Sequence, residues 1–588
     1  MMIALGKKAG DSFFQTVSGI SVSGFCFFGC VLKFNVEVYL KMLFTMMFCI
    51  SAAVFIIGYV VYGRFMANIY GLSDANATPA VKFEDGVDYC PAHPAVLLGH
   101  HFASIAGAGP ITGPIAAGLT FGWLPTILWC VIGSTFLGGP HDMVALVASM
   151  RHDGQSVGAV IEKWIGRGGK FLFLCFTILA LILVVAVFQV MSAGTFVADP
   201  VVAFVSCLYI ALAVVSGFMI YRWHVPLWVV TVVMLALIVG SCVKVNEGSA
   251  PALIKAFTYD IDTWNLFLSV YIFLASILPV WMLLQPRDYL ASYFLYFAVV
   301  VGAYGMFTGN ALNTNTIPMI GSSLQLFGFS SKAMWPSMFV IVACGAISGF
   351  HGLVGSGTTS KQLRKEKDAV LVGYGAMLIE GLVAVISIGT LMVIGAEGAK
   401  GLSPVVIFSR GFGQFSALLG MDPVFGTRLG AIAINSFLLT SLDTATRLTR
   451  YQIQEISGNR INKFVATFIA VGIALGLVYT KTTDATGKVI ATWQAIWPIF
   501  GASNQLVAAL TLLGIGVWIS RGLKKDNTFM MIPFWFMLAT TVVALAIQVK
   551  EALGAAVPNY LLSGMAIALL VLGVTMVIEG LRALARKA

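Results

Sequence analysis

Charge is what this chain has least of. Asp, Glu, Lys and Arg make up 10% of its 588 residues, against about 25% in an ordinary soluble domain. So little charge cannot cover a water-exposed surface of this size. No separate charge-rich region is present, and no loop much exceeds 30 residues. That argues against a receptor with a signalling domain. Cysteine is equally uninformative as chemistry. The nine cysteines include Cys49, Cys130, Cys175, Cys207, Cys242 and Cys344 inside apolar runs. Cys26 and Cys30 lack the second His or Cys pair of a zinc pattern, so no metal site is expected. HExxH is absent, which argues against a common metallohydrolase class, and His141–Asp142 alone is not a catalytic set. The net charge of +10 comes without a compact basic domain or an RNA-binding motif. It reads as basic loops flanking membrane spans, with no nucleic-acid partner.

What is abundant is apolar length. The chain is 59% hydrophobic, its mean hydropathy is +0.92, and runs near or above the roughly 18 residues needed to span a bilayer recur throughout. The sequence predicts an all-α polytopic membrane protein with about sixteen helices near 12–32, 41–63, 96–118, 122–150, 170–194, 200–219, 225–244, 265–284, 290–310, 338–358, 369–396, 427–446, 461–480, 491–519, 530–549 and 557–581. Lys7 and Lys8 before Ser12–Leu32 resemble a signal peptide, but no cleavage site follows, so this stretch is expected as an uncleaved helix. With the N-terminus inside, most of the 35 Lys and Arg fall on the inner side, led by the loop Lys361–Asp368. Both termini are then cytoplasmic.

The most telling stretch is His100 to Pro114. It lies within an apolar span yet carries Gly107, Gly109, Pro110, Gly113 and Pro114. Unwound backbone at membrane depth survives only where protein buries it or a cavity needs it. In secondary transporters such breaks hold substrate and ion. Ala106, Gly107, Ala108, Gly109, Ile111, Thr112 and Gly113 are therefore candidate substrate contacts, with amides near Ile111–Gly113 suited to an anion. Close packing of a Gly/Pro kink is the plainer alternative. Pro279, with Trp281 beside it, suggests a second break of opposite orientation, hence an inverted repeat; an ordinary kink is again the alternative. The neighbouring Arg287–Asp288 reads as an ion pair or gate element at the cytoplasmic end.

Ser356 and Thr358, beside further glycines, are candidate Na+ ligands unless they bond their own helix. His101, Asp142, Glu380 and Asp443 are intramembrane ionisable residues and candidates for proton coupling. His351 alone is weak evidence for a metal. Asn504 and Gln505 are expected to satisfy backbone freed by Pro498. Residues 1–64 and 461–588 read as flanking helices, around repeats at 95–245 and 264–450.

The stretches IAGAGPITGPIAAG, FLGGPHDMVALVASMRHDGQSVGAVI, LPVWMLLQPRDYL, WPIFGASNQLVAALTLL and DGVDYCPAHPAVLLGHHFASIAG resemble the carbon-starvation protein A (CstA) family. The similarity runs from about Tyr59 to Leu512. The resemblance implies a LeuT-like core of five plus five inverted helices in the inner membrane. It also implies uptake of pyruvate or small peptides during nutrient limitation, coupled to H+ (or Na+), with no cofactor. A solute channel or a nutrient-sensing membrane protein is the competing reading.

Overall fold

Where water is absent, every backbone amide needs an internal partner, and apolar runs accordingly fold as helices. The computed structural model describes residues 22–248, 251–312, 316–321, 325–483 and 487–586. Among the described residues, twelve helices are long and apolar enough to cross a membrane: Val38–Tyr70, Pro94–Phe121, Trp123–Met150, Arg167–Ala198, Pro200–Tyr221, Leu227–Asn246, Leu284–Thr308, Val370–Gly398, Pro423–Ile456, Ile499–Arg521, Thr528–Leu553 and Tyr560–Ala585.

The difference from sixteen has physical causes. Residues 12–21 of the expected first helix lie outside the described residues, and from Val22 the chain is helical to Ile57 with no turn near 33–40. Ile261–Ile277 and Lys463–Tyr479 are apolar helices of only 17 residues, about 25 Å long. The expected helix 338–358 is broken. A π-helical turn, Met334–Met338, leads to Phe339–Ile341, and regular structure resumes only at Gly349–Gly357.

Two short capped helices were not expected. Pro404–Ala417 is started by the Ser403 hydroxyl accepting the Val406 amide, with Pro404 in the first turn. It has a counterpart in Val157–Trp164, capped in the same way by Ser156.

The two longest core helices, Arg167–Ala198 and Pro423–Ile456, pack on each other. Around them Gly109–Phe121 lies on Ala376–Gly398, and Gly349–Gly357 lies on Gly139–Met150. Pro94–Ala106 packs on Leu284–Thr308, and Gly349–Gly357 on Ile499–Arg521. One end of the bundle collects Arg151, Lys361, Arg447 and Arg450 with their partners Glu366 and Asp88. The opposite end collects Ser403, Trp493 and Glu551 around a cavity.

Candidate functional site

Gly107 divides Pro94–Ala106 from Gly109–Phe121 and adopts φ +38°, a conformation that only glycine takes readily. The new helix begins with Pro110 at its N-terminus and with the Ile111 and Thr112 amides bonded to the Ala108 carbonyl. The Thr112 hydroxyl donates to the same carbonyl at 3.0 Å. Facing this break is the non-helical segment 342–348. The approach is close: a Cβ on Gly109 would lie 2.4 Å from Cys344, and one on Gly113 would lie 2.6 Å from the Ile341 carbonyl. Both glycines are thus required for packing, whatever else they do.

A cavity of about 620 Å³ runs from this junction to the end bearing Ser403 and Glu551. Ala108, Gly109, Thr112, Gly113, Phe188 and Cys344 line its deep part. Ala106 and Ile111 are buried beside it and are not among its lining residues. A second groove, of about 700 Å³ between Leu128, Trp129, Phe339 and Phe536, carries no charged side chain. It is not where the ionisable chemistry lies.

Beside the break sits a fully buried cluster of two carboxyl groups and two imidazoles. Asp142 is held between His141 Nδ1 and His351 Nδ1, each at 2.8 Å. His351 Nε2 lies 3.4 Å from Glu380 Oε2. The Ile105 backbone adjoins the same imidazole, and Glu380 and Asp142 act electrostatically on Cys344. The cluster therefore adjoins the first broken helix at Ile105 and lies within electrostatic reach of Cys344 in the second. Among the described residues neither Glu380 oxygen accepts a hydrogen bond, and no Lys or Arg pairs with Asp142 or Glu380.

His101, also fully buried, bonds Thr359 Oγ1 through Nδ1 at 2.8 Å and lies within electrostatic reach of His351.

Asp443 belongs elsewhere. It pairs with Arg287 and accepts from Tyr271 at 2.6 Å. Arg287 also pairs with Asp288, whose second oxygen meets His100 Nδ1 at 2.5 Å. Arg287, Asp288, Asp443 and His100 are all fully buried, so the Arg287–Asp288 pair is interior rather than at the cytoplasmic surface.

Three expectations change on this geometry. Pro279 and Trp281 do not join the Gly107 break: they form the turn between Ile261–Ile277 and Leu284–Thr308, bonded to Val87, with Trp281 packed on Phe218 and Arg222. A proline just past a helix end is a stop rather than a kink. Ser356 and Thr358 take the plainer of their two readings, each donating to a carbonyl of its own helix, at Leu353 and Val354. Asn504 and Gln505 serve the 342–348 break instead of Pro498. The Asn504 side chain accepts the Phe350 amide at 2.9 Å, Gln505 donates to the Phe339 carbonyl, and Gln548 takes the Pro498 carbonyl.

His351 is the residue that spacing missed. Its partners lie 209 positions away at Asp142 and, for Glu380, on another helix. The usable signal was a histidine among glycines in an apolar segment.

The family model described as "Carbon starvation protein CstA" matches residues 44–407 and 397–544. The "Peptide transporter CstA" of Bacillus subtilis (strain 168) is 31% identical, over 90% of this chain and 95% of its own length. The "Pyruvate/proton symporter BtsT" of Escherichia coli (strain K12) is 31% identical, over 84% of this chain and 80% of its own. Among solved structures, a manganese transporter of Eremococcus coleocola aligns over 85% of this chain and 99% of its own at 16% identity and a TM-score of 0.45. With the model spanning most of the chain and relatives aligned along most of their lengths, this multi-pass membrane protein belongs to the carbon starvation protein CstA family, whose matched members are transporters and not enzymes.

Proposed function

We propose that this chain imports pyruvate or a short peptide, driven by protons, through alternating access in the inner membrane. One observation carries the reading. Two broken segments, at Gly107 and 342–348, meet at the deep end of a cavity, and a buried cluster of Asp142, His351 and Glu380 lies against both. Intramembrane carboxylates and histidines of this kind mark proton pathways. The relative named as a pyruvate/proton symporter favours H+ over Na+. The substrate carboxylate meets the helix N-terminus at Gly109–Gly113, where the helix dipole favours an anion.

A LeuT-like inverted repeat is supported in a different register from 95–245 and 264–450. One half runs 94–308 and the other 334–521. Each opens with a broken helix. A long helix with a π-helical turn follows, Trp123–Met150 or Val370–Gly398. Next comes a short capped helix, Val157–Trp164 or Pro404–Ala417, then one of 32 or 34 residues, Arg167–Ala198 or Pro423–Ile456. A helix of 17 residues and a final span complete each half. Packing partners exchange between halves in the same way: the first break's outer arm lies on the second half's long helix, and the converse holds for Gly349–Gly357. Pro200–Tyr221 and Leu227–Asn246 are then an inserted hairpin. The basic end faces the cytoplasm, together with the C-terminal Arg582 and Arg586.

A channel is less well supported, because the cavity stops at Phe188 and Cys344 while the basic end is bonded shut. The test is uptake of radiolabelled pyruvate into proteoliposomes, with pH and Na+ gradients imposed separately and a dipeptide as competitor. Accumulation driven by the pH gradient alone is expected. No accumulation of either solute under any gradient, by folded protein, contradicts the reading.

A further inference from the structure

The basic end is closed by a strap, residues 85–92, that belongs to no membrane-spanning helix. Its turn is self-supporting: Asp85 Oδ1 accepts the amides of Val87, Asp88 and Tyr89 at 2.8, 2.9 and 2.9 Å. The strap is tied to two other elements through backbone. The Cys90 and Ala92 amides donate to the Lys361 and Gln362 carbonyls at 3.1 and 3.0 Å, and the Val280 amide donates to the Val87 carbonyl at 3.0 Å. Gln285 adds a bond to the Cys90 carbonyl at 3.2 Å.

Asp88 sits where these elements converge. It accepts from Arg447 at 3.1 Å and from the Tyr451 hydroxyl at 2.5 Å, with Arg450 at 3.6 Å. Arg447 is fully buried, and its second terminal nitrogen donates to the Ala275 and Leu278 carbonyls. The Lys361 ammonium lies over the rings of Tyr451 and Tyr89, at 4.1 and 5.5 Å. Burial raises the Asp88 pKa, but Arg447, Arg450, Lys361 and the Tyr451 hydroxyl together lower it below the ordinary carboxylate value, so Asp88 is ionised at neutral pH.

The strap leads directly into Pro94–Ala106, the helix that ends at the Gly107 hinge. That helix cannot swing at its basic end while the strap is bonded to Lys361, Gln362, Val280 and Arg447.

We propose that the 85–92 strap is the latch of the cytoplasmic gate and that Asp88 is the residue that holds it shut. The inference rests on the alternating-access reading. Release of Arg447 and Tyr451 from Asp88 frees Pro94–Ala106 to move about Gly107 and opens the cavity's deep end to the basic side. Asp88 acts through position and not by touching substrate.

The chain carries its own reporter. Cys90 lies on the strap, is a free thiol and is buried in this closed arrangement. The experiment measures Cys90 labelling by a membrane-impermeant maleimide in inside-out vesicles, with C90S as the blank. D88N is expected to speed labelling on the order of tenfold, the scale of losing one partly buried charge pair. Y451F, which keeps the ring and removes one donor, is expected to speed it about threefold. D88E should stay close to wild type. Unchanged labelling in folded D88N overturns the latch; if D88N does not fold, unchanged labelling in Y451F does so. The readout needs no substrate. Faster labelling together with no uptake of pyruvate or dipeptide by wild type leaves the latch standing and removes the transport reading.

Discussion

His100 and His101 are neighbours on one helix, yet they face networks built on opposite electrostatic plans. His100 meets Asp288, which is paired with Arg287, which is paired with Asp443. A guanidinium is always charged, so this network has a fixed internal counter-ion. His101 lies near the cluster of Asp142, His141, His351 and Glu380, in which no Lys or Arg takes part among the described residues. There no fixed cation balances the two carboxyl groups. Both networks are fully buried. The first holds a permanent cation, and the second holds none among the described residues. Asp443 and Asp142 look alike in sequence as acids inside apolar helices, and the difference between them lies in Arg287.

The largest effect expected from this comparison is on the fixed network. R287M leaves Asp288 and Asp443 buried without a cation and should cost about 3–5 kcal/mol, seen as loss of folded protein in a thermal melt. E380Q removes a carboxylate whose oxygens have no hydrogen-bond donor, and should cost no more than about 1 kcal/mol. Equal stability of the two variants would erase the distinction.

Function should divide the other way. E380Q and D142N are expected to lower pH-driven accumulation to the equilibrium level while substrate exchange stays within about threefold of wild type. Exchange that fails together with accumulation would make these residues structural or substrate-binding.

A smaller effect tests what the glycines at the break are for. G109A places a methyl against Cys344 and should destabilise by about 1–3 kcal/mol. Adding C344G should restore most of that loss if packing is the reason. No rescue would point to a backbone or ligand role for Gly109.

The smallest effect belongs to T358V. Its hydroxyl bonds Val354 of the same helix, so uptake should change by less than about twofold, with no change in Na+ response. A lost Na+ response would reinstate Thr358 as an ion ligand.

The first break was legible because Gly107, Gly109, Pro110, Gly113 and Pro114 crowd into one apolar span. Its partner was not. CGAISG, at 344–349, has no proline, and tertiary partners hold that backbone open: Asn504, Gln505 and the Ser134 hydroxyl on the Gly345 carbonyl. Pro279 misled because a proline at a helix end and a proline in mid-span look the same when helix ends are uncertain by a few residues. Asp142 and Glu380 could be picked out as intramembrane acids, but their meeting through His351 could not, since the contact joins helices far apart in the chain. Ser356 and Thr358 show the local preference of helix hydroxyls, which donate to a carbonyl three or four residues back.

The most direct test of the account is proton movement itself. Wild type and E380Q would be reconstituted with a pH-sensitive dye inside the vesicles, with no gradient imposed, and pyruvate would be added outside. The account predicts acidification of the lumen coupled to pyruvate entry in wild type, and pyruvate exchange without acidification in E380Q. Acidification by E380Q equal to that of wild type, at equal pyruvate entry, would contradict it.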